Sequence, residues 1–331
     1  MNREPFVSVV VTTYNQAPHI AAAIDSVLCQ TYRHHEVIVV DDGSTDTTSQ
    51  VLDRFRGKAI LLRQTNQGVA AARNTGVLQA RGDFVALLDG DDLWEPDKLS
   101  VQVGAALANP ESGLIVADGV QFDGPRIIKD SLIGAPVRRL MDPATPATTL
   151  WAHRHFVNAN FVSTASQVMV PSEVLRRVGP SDTSLALVSD WDLYFRISLC
   201  YPMTLISRKL TCWRYLATSA SGPDALRALR WGEDDLTLLQ KHLRFASPEL
   251  RPLIRRSLRS KAFATTQAAY YYGLETDRAQ AGAVLRRLLL KPFASAAAAS
   301  FLLALYTPRA VSGFLGPKVR ALLGSRPRTR A

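Results

Sequence analysis

Cysteine is scarce in this sequence. Only Cys29, Cys200 and Cys212 occur among 331 residues, with no Cys-x-x-Cys pair and no zinc-ligand spacing, which removes structural zinc from the candidates and suits a reducing compartment. Membrane-spanning apolar runs are missing too. Phe293 to Tyr306 falls short of the roughly 20 apolar residues that a spanning helix needs, so it reads as a core helix or an interfacial one. The N-terminal apolar run, Val7 to Val11, is short and ends in Thr-Thr-Tyr-Asn; this is not the pattern of a secretory leader, and the expected location is the cytoplasm. No Gly-x-Gly-x-x-Gly follows that run, which sets aside a dinucleotide-dependent oxidoreductase. His153 and His155 have no carboxylate or cysteine near them in sequence and make a poor metal pair.

With 47% hydrophobic residues, the chain can bury a full domain core and still carry an appendage. Its net charge of +10 is unevenly spread. Residues 225–331 hold 19 Lys and Arg against 6 Asp and Glu, net +13, whereas residues 1–224 hold 20 against 23, net −3. The basic part reads as helices over Leu226 to Phe245, Pro248 to Tyr272, Thr276 to Leu290, Phe293 to Tyr306 and Val311 to Leu323, before a basic end at Arg326 to Arg330. The expected division is therefore 1–222 and 223–331. Such a basic helical region beside apolar segments suits an anionic membrane surface or a solvated bundle. Nucleic acid ranks below both, because no recognised nucleic-acid motif accompanies the charge.

What the first part does contain is a set of apolar strands that end in polar residues. Phe6 to Val11 is a β-branched run of the kind buried on both faces of a parallel sheet, and it ends at Thr12-Thr13-Tyr14-Asn15. A helix from about Pro18 to Gln30 follows, with Ile20, Ala23, Ile24, Val27 and Leu28 on one face. Glu36 to Val40 is the next strand, ending in Asp41-Asp42-Gly43-Ser44, where Ser44 is placed to cap a helix from Thr45. Strand Ala59 to Leu62, helix Val69 to Gln79 and strand Phe84 to Leu88 continue the alternation. The last strand runs into Asp89-Gly90-Asp91-Asp92, and clustered carboxylates at a strand end suit a hard divalent cation shared with substrate phosphates. Taken alone, Asp-Gly-Asp-Asp also suits a turn. Ligands of open α/β sheets bind beyond the carboxyl ends of the strands, so the polar ends of three strands should meet in one crevice.

The ordered set Val7 to Asn15, Gln30-Thr31-Tyr32, Val39 to Asp46, Asn66-Gln67-Gly68, Ala72 to Gly76 and Leu88 to Asp92 resembles the motifs of family 2 glycosyltransferases. The resemblance covers roughly residues 5 to 222. It implies the GT-A fold of nucleotide-diphospho-sugar transferases: a Rossmann-like, mostly parallel sheet with flanking helices, here followed by an all-α C-terminal region. By position, the resemblance gives Thr12, Tyr14, Asp42 and Arg73 to the nucleotide, Asp89 to ribose and metal, and Asp91 to Mn²⁺ or Mg²⁺. Asp92 either assists or caps the helix that begins near Pro96. Ser189-Asp190-Trp191-Asp192-Leu193 is similar to the family's Glu-Asp-Trp-Asp-Leu signature, which makes Asp190 the catalytic base and leaves Asp192 to pair with an arginine or to cap. A sugar hydroxyl needs such a base to become a nucleophile, and direct displacement inverts the anomeric carbon.

Two positions depart from the family pattern. Ser189 stands where a Glu is usual, removing a charge next to the base. Leu216 stands where relatives often carry a His, which leaves Arg214 and Ser219 as the groups near a diphosphate. The activity implied is transfer of a sugar from a nucleotide-diphosphate donor to a glycan or lipid-linked acceptor in cell-surface polysaccharide assembly, peripheral to the inner face of the membrane. The alternatives are a nucleotidyltransferase that makes such a donor, and a non-catalytic module on the same scaffold. Asp123 to Asn160 carries no decodable motif, so the acceptor is not legible.

Overall fold

The computed structural model describes residues 3–142, 144–216, 225–291 and 293–306. They fall into two compact units, Met1–Gly222 and Pro223–Ala331. The expected helix at Val311 to Leu323, the basic end and Ser219 lie outside the described residues.

In the first unit β1 (Val7–Thr13) is the buried centre, joined through α1 (Ile20–Leu28) to β2 (His35–Asp41). Next come α2 (Thr48–Leu52), β3 (Ile60–Arg63), α3 (Val69–Gln79) and β4 (Phe84–Asp89). After β5 (Leu93–Trp94) and α4 (Lys98–Ala108) come β6 (Leu114–Asp123), β7 (Arg126–Lys129), α5 (Ala135–Arg138), β8 (Ala147–Leu150) and α6 (His153–Phe156). The unit closes with β9 (Val168–Pro171), α7 (Ser172–Val178), α8 (Ser189–Cys200) and β10 (Met203–Arg214).

All of these strands join one sheet in the order β3-β2-β1-β4-β9-β6-β10-β5, with β7 on β6 and β8 on β10. The half that holds β1 to β4 is parallel. Beyond β4 the sheet is mixed, because β9 runs antiparallel to both its neighbours. Val7, Val9 and Val11 are buried with Ile20, Ala23, Ile24 and Val27 of α1 in the main core, so the apolar stripe of α1 sits where its 3.6-residue period places it. Register puts Thr12 opposite Val40 and Asp89, which brings the ends of β1, β2 and β4 side by side.

One local expectation is corrected. Ser44 caps no helix: α2 begins at Thr48 after Thr47, and the Ser44 Oγ instead accepts from the Asn15 N–H at 2.9 Å. Asn15 is left-handed at φ 52°, a region Asn tolerates, and its side chain accepts from the Thr45 N–H at 2.7 Å. The two turns therefore lock together before any helix starts.

The second unit consists of α9 (Ala225–Phe245), α10 (Leu250–Glu275), α11 (Arg278–Leu289) and α12 (Ser295–Tyr306), with α10 packed on the other three. Of the two readings of Phe293 to Tyr306, the core helix holds. Ala298, Phe301 and Leu305 are buried, and the Phe301 ring meets Phe263 and Tyr270 at 6.1 and 5.4 Å. Among the described residues no helix is long and apolar enough to cross a membrane.

Candidate active site

A cleft of about 620 Å³ opens at the carboxyl ends of β1, β2 and β4. It is lined by Thr12, Tyr14, Asp42, Arg73, Asp89 and Asp91, so the structure brings together six of the seven residues assigned from the sequence. Asp190, the seventh, lies behind them on α8. Tyr14 is 44% exposed, which makes it a free ring at the cleft and not a core side chain. Asp42 is buried and accepts three hydrogen bonds, from Gln64 Nε2 at 2.8 Å and from the N–H groups of Gln67 and Gly68 at 3.0 and 2.8 Å. About one of a carboxylate's four acceptor directions is left for a ligand. Gly68 adopts φ +88°, a conformation costly for a side chain, and so aims its N–H at Asp42.

The three aspartates at the end of β4 look alike in sequence but have different environments. Asp89 is held by Arg73 at 2.6 Å and by the Thr164 hydroxyl at 3.3 Å. Asp92 neither caps a helix nor faces the cleft. It is fully buried and accepts from the hydroxyls of Thr164 (3.0 Å) and Ser166 (2.6 Å) and from the Arg214 N–H (2.9 Å), while α4 starts after Asp97. Burial and the charges of Asp91 and Asp89 push its carboxyl well above the usual range. Asp91 is pushed up to about 6, first by burial and then by Asp89. It shows no ion pair among the described residues, and Arg214 binds its backbone carbonyl at 2.9 Å with the guanidinium over Phe122. Gly90 lets the turn close: a Cβ there would sit 2.5 Å from Gln16 Oε1 and 2.9 Å from the Thr12 carbonyl oxygen.

Arg73, on α3, is buried, and its Nε has no partner. Thr13 Oγ1 and Gln16 Oε1, also on the cleft wall, are buried and unpaired as well. Buried polar atoms are nearly always satisfied, so three orphans around one cavity mark a place where a polar ligand completes the set. An Asp91 carboxylate without a cation beside it, next to Asp89, fits a hard divalent ion whose remaining ligands come from a bound diphosphate. Among the described residues no group of three or more His, Cys, Asp or Glu side chains converges to hold a metal by itself.

Asp190 sits in the first turn of α8, where the helix dipole favours a carboxylate. Its oxygens accept from the Trp191 N–H at 2.7 Å and from Asn160 Nδ2 at 3.2 Å. Burial raises its pKa, and the Arg73 guanidinium opposes the rise. Four residues on, Tyr194 is fully buried with an unpaired hydroxyl held well above its ordinary pKa by burial and by Asp190. Its spacing from Asp190 was the only sequence signal for it. Asp192 pairs with Arg196 at 2.8 Å, and Arg196 also reaches the carbonyl oxygens of Val178 and Pro180, so this pair fixes the loop before α8. Gln16, Asn160 and Thr164 also belong to the site and carried no motif.

Residues 8–164 match the family model described as Glycosyl transferase family 2. That region belongs to the family. An uncharacterised glycosyltransferase of Rickettsia typhi is 28% identical over 192 residues, which is 58% of each chain. The Escherichia coli UDP-Glc:alpha-D-GlcNAc-diphosphoundecaprenol beta-1,3-glucosyltransferase WfgD is 41% identical over 105 residues, 31% of this chain and 42% of that one. This chain thus spans less than two thirds of the length of these relatives. The mannosyltransferase PcManGT from Pyrobaculum calidifontis, solved with GDP-Man and Mn²⁺, superposes with a TM-score of 0.56 over 97% of this chain and 85% of its own, at 23% identity, which shows a common GT-A-like fold.

Proposed function

We propose that the chain is an inverting, metal-dependent glycosyltransferase that moves a sugar from a nucleotide-diphosphate donor to a hydroxyl of a glycan or lipid-linked acceptor. The observation that carries this reading is the cleft itself: Thr13 Oγ1, Gln16 Oε1 and Arg73 Nε left unpaired around Asp89 and Asp91, with the half-buried Asp190 carboxylate within the electrostatic reach of Arg73. Tyr14 offers a ring face to the base, and Asp42 its remaining acceptor site to a base N–H. Arg73 keeps a free N–H for a phosphate oxygen while holding Asp89 in place. Asp91 and Asp89 would hold Mn²⁺ or Mg²⁺, which when bound offsets charge on the departing diphosphate.

Asp190 takes the acceptor hydroxyl proton as that oxygen bonds to the anomeric carbon and the bond to the diphosphate breaks. The products are the glycosylated acceptor, a nucleoside diphosphate and a protonated Asp190. Burial supports this role by making the carboxylate a stronger base than an exposed one. The acceptor named for WfgD and the basic second unit support work beside a membrane on its cytoplasmic side, in cell-surface polysaccharide assembly. The test is a thermal-shift screen of nucleotide sugars with Mn²⁺ or Mg²⁺, followed by product analysis. A donor at 100 times its dissociation constant should add about 2.7 kcal/mol. Metal-dependent stabilisation with nucleoside-diphosphate release supports the reading; pyrophosphate release from a nucleoside triphosphate and a sugar 1-phosphate, supplied in a parallel assay, would make the protein a nucleotidyltransferase, and no turnover with any donor a binding module.

A further inference from the structure

The second unit carries a charged feature of its own. Pro248, Arg251, Pro252, Arg255, Arg256 and Arg259 line a shallow depression of about 520 Å³ at the start of α10. Arg251, Arg255 and Arg259 are four residues apart, so they lie along one helix face over about 12 Å. All four arginines are exposed, and among the described residues no ion pair is made by Arg255, Arg256 or Arg259. Elsewhere in this unit Lys261 pairs with Asp235 at 2.5 Å and Arg287 with Glu233 at 2.8 Å. Beside the arginine face the α9–α10 turn projects Phe245, which is 87% exposed, and Arg251 donates to the Ala246 carbonyl oxygen at 3.2 Å, tying stripe and tip together. Arg244 adds a charge at the tip, and Glu249 is the one carboxylate in the turn.

We propose that the α9–α10 turn and the arginine face of α10 dock the protein on an anionic phospholipid bilayer, with Phe245 entering the interface. Charge complementarity selects this occupant. Five arginines against one glutamate draw the turn to a surface rich in phosphates, and an exposed ring at its tip is what an interface accepts and water does not. Exposed arginines alone would equally suit a soluble polyanion; the ring is the part that a soluble polyanion leaves unexplained. The inference deepens the membrane reading above and is independent of the transfer chemistry. It also moves the docking element away from α12, whose Phe301 and Leu305 belong to the core, so that truncation before α12 would test folding and not docking.

The test is co-sedimentation of the full chain with phosphatidylglycerol-containing and pure phosphatidylcholine vesicles at low and high salt. Wild type should bind the anionic vesicles and lose binding as salt rises. Replacing Arg255, Arg256 and Arg259 with Gln should lower partitioning on the order of 100-fold, about fivefold per arginine. The Lys triple variant should retain binding, which separates charge from any local distortion. Phe245→Ser should weaken binding at both salt levels. The proposal is overturned if the Gln triple sediments like wild type, if vesicle charge makes no difference, or if the full chain ignores vesicles yet binds duplex DNA. In each of those cases an unchanged donor-induced thermal shift would leave the glycosyltransferase reading standing.

Discussion

Asp190→Asn separates binding from chemistry, and the structure indicates how cleanly. Both oxygens of the carboxylate are used inside the protein, one by the Trp191 N–H at 2.7 Å and the other by Asn160 Nδ2 at 3.2 Å. In the variant the amide oxygen keeps the first bond, while the amide nitrogen faces Asn160 Nδ2, donor against donor. Rotating Asn160 does not relieve this freely, because Asn160 Oδ1 accepts from the Val162 N–H at 3.1 Å. The loss is worth about 1 kcal/mol. Against it stands the relief of a buried anion, the largest influence on the Asp190 carboxyl. Stability should therefore stay within about 1 kcal/mol of native. Asp190 is not on the wall of the donor cleft, so donor affinity should also hold. Turnover should fall roughly 10²–10⁴-fold, about 2.7–5.5 kcal/mol of transition-state stabilisation at 1.36 kcal/mol per decade. The assay pairs donor titration calorimetry with nucleoside-diphosphate release at saturating donor and acceptor. Turnover within about threefold of native refutes the base assignment. Donor affinity falling in step with turnover would make Asp190 a nucleotide-site residue.

The neighbouring aspartates should respond differently. Asp91→Asn should remove the metal-dependent part of the donor thermal shift and abolish transfer, and transfer at the native rate would show the metal assignment to be wrong. Asp92→Ala leaves the Ser166 hydroxyl and the Arg214 N–H without their buried acceptor and the Thr164 hydroxyl with only Asp89 at 3.3 Å, and should cost about 3 kcal/mol in urea unfolding. Asp92→Asn keeps the Arg214 contact, offers its amide to hydroxyls that can rotate to accept, and should stay within about 1 kcal/mol and active. An inactive but stable Asp92→Asn would make Asp92 a ligand. Lys98 is fully buried, with Nζ 2.6 Å from Gln102 Oε1 and 4.0 Å above the Trp94 ring, and burial holds its pKa well below 10.5. Between that depressed value and 10.5 the unfolded chain binds the proton and the folded chain does not, so stability should rise with pH across that window. Lys98→Met should lose that slope; equal slopes in the two proteins would mean Lys98 stays charged when folded.

Local pattern made β1 to β4 legible. The runs of β1, β2 and β4 are continuous because those strands are buried on both faces, β3 is a half-buried edge strand, and α3 occupies Val69–Gln79, the stretch its sequence predicts. The other half of the sheet offered less signal. β7 and β8 are four residues each, β7 is exposed throughout, and β9 enters antiparallel between strands that are far from it in sequence. Ser44 looked like a helix cap because Ser before a polar run often is one; a tertiary partner, the Asn15 N–H, claims it instead. Lys98 falls on a helix and would ordinarily be solvated, yet its Nζ packs over the face of the Trp94 ring four residues before it. The partner of Ser44 is long-range and the burial of Lys98 is set by the surrounding packing, and periodicity carries no information about either.

The Asp89-Gly90-Asp91-Asp92 segment shows how far that matters for function. Spacing alone does not tell its carboxylates apart, and the family resemblance separates Asp89 and Asp91 from an Asp92 that either assists or caps. Asp92 is answered by Thr164, Ser166 and Arg214, which lie 72, 74 and 122 residues away, and Asp89 by Arg73 on the preceding helix. Those contacts occupy two of the three, leaving Asp91 as the cleft-lining carboxylate with no ion pair among the described residues. Arg73 is the common element behind this division, since it holds Asp89, opposes the raised pKa of Asp190 and still has an unpaired Nε. One guanidinium therefore sits between the residues assigned to the donor and the residue assigned to the acceptor proton. On the proposed assignment, a bound phosphate that engages its free N–H would draw on the same positive charge that opposes the raised pKa of Asp190, and so raise that pKa further when the donor is in place. By linkage the expected consequence is that donor binding makes Asp190 a stronger base and that Asp190→Asn holds or slightly tightens donor affinity.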